Sequence, residues 1–257
     1  MTVSARTRPP PRLSPGALEA ARRARLALGD PRARPNVRWL ERLTGAPTAR
    51  LSEVLEELAD LVPIEAEIRR LHREGGRSHY AQFRAPLELY AIVRLLRPDH
   101  VVETGVSSGV SSAHLLLALA RNRTGRLHSI DRPTPQRGAT FGPSDSPVAV
   151  PPGRSSGWAI PASVRSGWDL RLGASETLLP RLAREVGSIG LFLHDSLHTP
   201  AHLTFELETV RPKLVPGAVV LADNTAWTGQ SFPRFARSLG VAVARRGRTD
   251  LVGLRVA

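Results

Sequence analysis

Cysteine is absent from the 257 residues. That excludes disulfides, thiolate nucleophiles and cysteine-ligated zinc. Lysine is nearly absent too: Lys213 is the only one, so the basic charge is almost entirely arginine. No apolar run approaches the roughly 20 residues that span a bilayer, so no membrane partner is expected. The opening MTVSARTRPPPRLSPG carries arginines but none of the apolar stretch of a secretory signal. A soluble, cytoplasmic protein is the expectation. What is present suits one sizeable core, since 41% of the chain is hydrophobic.

A formal net charge of +13 invites a nucleic-acid reading. Its distribution argues otherwise. Residues 1–50 hold 11 arginines against Glu19, Asp30 and Glu41, which leaves +5 for the other 207 residues. A basic arm plus solvated arginines accounts for the surplus, and nucleic acid is not the expected partner.

Residues 1–16 contain four prolines and are expected to be a disordered arm. Residues 17–84 should form a helical extension. A short helix is expected over 17–28, and a longer one over 52–74 with Ser52 as its cap and Pro63 as a kink or split. A helix with Pro86 in its first turn should run to about Leu96. From 85 to 257 the pattern changes, with the apolar runs VVETG, RLHSID, DLRLG, IGLFLHD, AVVLADN, VAVARR and LVGLRVA alternating with helical segments. This predicts an α/β fold with a mostly parallel sheet. Only GRTD separates the last two runs, too little for a parallel crossover, so they must pair antiparallel. Residues 132–167, rich in Pro, Gly and Ser, are expected to be a lid or substrate loop with one short helical turn near Pro161–Gly167.

The first strand runs into ETGVSSGVSS, residues 103–112. Gly105 and Gly109 let the backbone turn and approach a ligand, and the helix starting near Ser111 aims its N-terminus there. No Gly-Lys-Ser/Thr follows, so this is not a P-loop, and the three-glycine dinucleotide spacing is absent. The second strand ends at Asp131, placed to accept from two ribose hydroxyls. A tight turn and a helix cap would use the same residues.

Glu-x-Gly-x-x-x-Gly after strand one, an acidic end to strand two and an antiparallel final strand resemble a class I S-adenosylmethionine-dependent methyltransferase. The resemblance covers about residues 80–257 and implies a Rossmann-like, seven-stranded sheet. It implies that Glu103, Gly105 and Ser111 line the methionine side, with Gly109 a further cofactor contact. In GASETLLPRL (173–182), Ala174 and Ser175 would lie near the adenine.

The fourth strand ends at Asp195 and the fifth at Asp223-Asn224, and in that family's sheet these strands are neighbours. Two carboxylates and an amide oxygen suit Mg²⁺ or another hard divalent cation. The set resembles the metal-dependent O-methyltransferases of the catechol type, with Asp195 also counted among the cofactor contacts. Those enzymes place a lysine three residues after the first metal aspartate. Here it is His198, and Asp-x-x-His resembles instead the branch that methylates sugar hydroxyls of macrolides, in which the histidine is the proposed base. Histidine titrates near neutrality and can take a hydroxyl proton. His198 could equally be the start of a helix, since Thr199 and Pro200 suit one. His202 reads as structural or substrate-lining. His194, by strand alternation, should face away from Asp195.

His79, Tyr80 and Trp158 are candidate substrate contacts, while Trp168 and Trp227 read more simply as packing residues. The expected activity is Mg²⁺-dependent O-methylation of a small-molecule hydroxyl, on a sugar, polyol or phenol of a secondary metabolite. An RNA or protein methyltransferase using the basic arm is the alternative, and a non-catalytic S-adenosylmethionine-binding protein a third. The helical extension suggests a homo-oligomer.

Overall fold

The computed structural model describes residues 13–27, 36–75, 83, 85–133, 150–247 and 249–257. His79 and Tyr80, most of the proline-rich arm and residues 134–149 of the expected lid lie outside them. Among the described residues no helix is long and apolar enough to cross a membrane.

Seven strands form one sheet in the order β3-β2-β1-β4-β5-β7-β6. They are β1 (His100–Thr104), β2 (Arg126–Asp131), β3 (Trp168–Leu172), β4 (Ile189–His194), β5 (Leu214–Ala222), β6 (Ala244–Arg245) and β7 (Val252–Arg255). The first five are parallel, and β7 inserts antiparallel between β5 and β6. β6 is shorter than the VAVARR run suggested: Val241–Val243 stay outside the ladder, and only two residues pair. The central strands are apolar on both faces because helices cover both. Val101, Leu191, Leu193 and Leu221 face one core, and Val102, Phe192 and Val220 the other.

The first core continues into the N-terminal helices α1 (Pro15–Ala27), α2 (Val37–Thr44), α3 (Thr48–Glu56), α4 (Val62–Glu74) and α5 (Pro86–Leu96), and α6 (Val110–Asn122) joins it. The second is covered by α7 (Ser175–Val186), α8 (Pro200–Val210) and α9 (Ser231–Ser238).

The N-terminal helices differ from the sequence expectation in three places. α1 begins inside the expected arm, because Ser14 accepts from the Ala17 N–H at 3.1 Å and Pro15 takes the first helical position. α2 was not expected; Asn36 caps it by accepting from the Trp39 N–H, and Gly45 ends it at φ +67°. Ser52 caps nothing. It lies inside α3, which starts at Thr48, and its hydroxyl donates to the Ser14 hydroxyl at 3.0 Å, tying α3 to α1. Pro63 does divide the 52–74 stretch: a 3₁₀ turn over Glu57–Leu61 precedes α4, where the proline sits in the first turn.

At the N-terminal edge of the sheet His128 lies between His100 (3.1 Å) and Asp169 (3.0 Å). Burial lowers its pKa, Asp169 works against this, and His100 and Arg171 add to the lowering. A folded-state pKa below the unfolded value of about 6.5 means the unfolded chain binds the extra proton first. This contribution to stability is complete above pH 6.5 and is lost as pH falls below it. Thermal melts from pH 7.5 to 5 should show the midpoint falling on acidification, and His128→Asn should flatten that slope.

Candidate active site

β1 is flanked by β2 on one side and β4 on the other, so the chain reverses its direction of travel across the sheet at β1. Ligands in open α/β sheets bind beyond the carboxyl ends of the strands at such a switch point. The ends of β1, β2, β4 and β5 bring Gly105, Asp131, Asp195 and Asp223 to that face.

The 105–109 loop carries Gly105 at φ +85° and Gly109 at φ +86°. A Cβ on Gly105 would lie 1.9 Å from the Asp195 carbonyl oxygen, so only glycine lets β1 and β4 leave the sheet this close together. Glu103 is buried below the loop and accepts from the hydroxyls of Ser111, Ser112 (2.6 Å) and Ser129 (2.8 Å). Burial pushes its pKa up to about 7; the serines restrain the rise and the Asp195 charge adds to it. Ser111, expected beside the methionine, spends its hydroxyl on Glu103.

Asp131 ends β2 and accepts from the Val106 N–H at 3.0 Å and from the Ser156 hydroxyl. Residues 156–160 lie over the glycine loop: the Gly157 N–H donates to the Ser107 carbonyl (2.8 Å) and the Ala159 N–H to that of Ser108 (2.9 Å). Trp158, a candidate substrate contact by sequence, is buried against α4, its ring stacked on His72 with centroids 6.0 Å apart. Trp168 packs as expected, donating its indole N–H to the Ser129 hydroxyl at 2.9 Å. Trp227, expected to pack, is 45% exposed three residues beyond Asn224. Ala174 stands at the N-cap of α7, and Ser175 lies 3.1 Å from His202 Nε2.

His194 pairs with Ala222 across β4 and β5, so Asp195 and Asp223, one residue further on, leave neighbouring strands side by side. The Asp223 N–H donates to the His194 carbonyl at 3.0 Å. Asn224 takes φ +50°, a region asparagine tolerates, and turns the chain off the sheet. His198 is buried with Nε2 3.5 Å from Asp195 Oδ1. Thr199 caps α8 by accepting from the His202 N–H, so His198 stands just before the helix. Among the described residues no three His, Asp or Glu side chains converge as metal ligands.

The sequence reading missed Glu206. Fully buried on α8, it accepts from the Thr104 hydroxyl (2.6 Å), His194 Nδ1 (2.7 Å), the Ser196 hydroxyl (3.0 Å) and His202 Nε2 (2.9 Å). Burial alone would raise its pKa, but His194 and His202 hold it well below the usual carboxylate range. Burial lowers His194. His202, between Glu206 and Glu176, is raised despite its burial. The available signal was the His202–Glu206 spacing of four, which puts both on one face of a helix.

Residues 102–225 match the family model of a methyltransferase domain. No curated protein matches the chain. Three solved structures share the fold at low identity. An O-methyltransferase of Streptomyces achromogenes involved in tomaymycin synthesis, bound to S-adenosylmethionine, is 22% identical over 75% of this chain and 89% of its own (TM-score 0.51). A Bacillus cereus O-methyltransferase in complex with S-adenosylhomocysteine is 15% identical over 86% and 96% (TM-score 0.51). An S-adenosylhomocysteine-bound Podospora anserina methyltransferase is 13% identical over 76% and 87% (TM-score 0.51). In sheet order, and over residues 102–225, the chain is similar to the class I, S-adenosylmethionine-dependent methyltransferases.

Proposed function

We propose that the protein transfers a methyl group from S-adenosylmethionine to a hydroxyl oxygen of a small molecule, a sugar, polyol or phenol of a secondary metabolite. The observation that carries this reading is the imidazole of His198 beside the Asp195 carboxylate, at the open end of the sheet next to Asp223-Asn224. Two structural neighbours being O-methyltransferases supports an oxygen acceptor. His198 takes the hydroxyl proton as the oxygen attacks the methyl carbon, and the strand ends hold the reacting atoms in line. Asp195, Asp223 and Asn224 are of the donor type that suits Mg²⁺ and would hold it. Such an ion lowers the pKa of an acceptor hydroxyl. Gly105, Gly109 and Asp131 would seat the methyl donor, with Ala174 and Ser175 on its adenine side.

Purified protein with methyl-labelled S-adenosylmethionine and a small-molecule extract should give a product heavier by one CH₂, read by mass spectrometry. EDTA and Asp195→Asn should each stop it, and transfer that survives both excludes the metal-assisted mechanism.

Ser156 bears on cofactor affinity, because its hydroxyl occupies a carboxylate oxygen that a ribose would use. Removing a hydrogen bond to a charged group costs about 1.5–3 kcal/mol. Here that cost falls on the unliganded state. Ser156→Ala is expected to tighten S-adenosylhomocysteine binding about tenfold by calorimetry; unchanged or weaker binding refutes the competition.

A further inference from the structure

We propose that Glu206 is a positioning residue of this site, holding the turn that carries Asp195 and His198 from both of its ends. The inference rests on the methyl-transfer reading above for its catalytic bearing, though not for its geometry.

The four donors to Glu206 are distributed along the chain in a way that serves the turn. His194 and Ser196 flank Asp195 on either side. His202 lies one helical turn past His198 and anchors the start of α8. Thr104, at the end of β1, donates its hydroxyl to Glu206 while its carbonyl accepts the Asp195 N–H at 2.9 Å. A single carboxylate therefore joins the ends of β1 and β4 to the first turns of α8, with Asp195 held between His194 and Ser196, and His198 between Ser196 and His202.

Two routes lead from this carboxylate to the reacting groups. The ring of His198 meets the ring of His194 edge-on, with centroids 5.4 Å apart, so the orientation that Glu206 imposes on His194 is passed to His198 by contact. The His194 carbonyl accepts the Asp223 N–H at 3.0 Å, which ties the same unit to the end of β5.

The surroundings argue that Glu206 is there for geometry. Its neighbours on α8, Leu203, Leu207 and Val210, belong to the apolar core. Apolar residues in place of Glu206 and all four of its donors would extend that core without the desolvation of a charge, and a buried ionic group is often no more stabilising than apolar groups that replace it whole. A carboxylate fixes direction, because each of its hydrogen bonds has a preferred angle and length.

Glu206→Gln tests this, with Glu206→Asp as the conservative control. The glutamine keeps the shape but presents an NH₂ toward groups that are themselves donors. Amide hydrogen exchange should rise over residues 189–203 in Glu206→Gln and stay near wild type in the outer strands. With S-adenosylmethionine and two hydroxyl probes, catechol and methyl glucoside, kcat should fall about 100-fold while the S-adenosylhomocysteine Kd stays within threefold. Glu206→Asp should restore most of kcat. Should Glu206→Gln fail to fold, Thr104→Val, isosteric and lacking one of the four bonds, should show the same pattern at about tenfold. Unchanged exchange over 189–203 in a folded variant overturns the clamp. Raised exchange with wild-type kcat overturns its catalytic bearing. Raised exchange in the variant with no transfer to either probe by the wild type supports the clamp and counts against the methyl-transfer reading alone.

Discussion

His198→Ala is expected to lower kcat for methyl transfer by 10²–10⁴-fold, the usual contribution of a positioned general base, while leaving S-adenosylhomocysteine affinity within about threefold. The two effects separate because the proposed cofactor contacts and the proposed base belong to different elements. Gly105 and Gly109 follow β1 and Asp131 ends β2, whereas His198 stands between β4 and α8. Its ring is buried against His194 with Nε2 3.5 Å from Asp195, and the only lysine, Lys213, lies in a 3₁₀ turn before β5. Lys213 stands at the far end of that strand from Asp223, so no lysine is placed to replace the imidazole. Steady-state kinetics with calorimetry checks the split. Loss of cofactor binding in step with kcat would mean that His198 shapes the pocket; an unchanged kcat would remove it from the chemistry.

Glu65→Ala is expected to destabilise the protein by about 3–5 kcal/mol, the range for removing one partner of a buried ionic pair. Glu65 on α4 and His114 on α6 are both fully buried, and His114 Nε2 meets Glu65 Oε1. His114 Nδ1 faces the Val110 carbonyl at 2.7 Å. A carbonyl only accepts, so Nδ1 donates to it and Nε2 is left facing the carboxylate. The alanine leaves a cavity beside an imidazole that has lost this acceptor. Glu65→Leu with His114→Leu should recover most of the loss, since a buried pair replaced whole by apolar groups is often neutral. Denaturant titrations of Glu65→Leu, His114→Leu and the double close the cycle, with Glu65→Ala measured beside them. A single variant within 1 kcal/mol of wild type would refute this role.

Local pattern carried much of the architecture. The alternation of apolar runs with helical segments placed the main strands, and the four-residue GRTD connection forced the antiparallel ending seen between β6 and β7. Both are short-range facts, written in periodicity and chain reach. Expectations failed where one side chain answered to another far along the chain. Ser52 has the chemistry of a cap, but Ser14 claims its hydroxyl. α2 is eight residues long, short of what holds a helix without packing, and it stands because Trp39, Leu40 and Leu43 are buried in the core.

The sequence by itself determined that Asp195 and Asp223-Asn224 end apolar strands, that glycines follow the first strand and that His198 follows Asp195 by three. Each of these is a matter of neighbouring residues. Only the tertiary structure decided that Glu206 gathers Thr104, 102 residues away, together with His194, Ser196 and His202, and that Ser156 reaches Asp131. A buried carboxylate needs donors from wherever the fold can bring them, and sequence spacing holds no record of which donors those are.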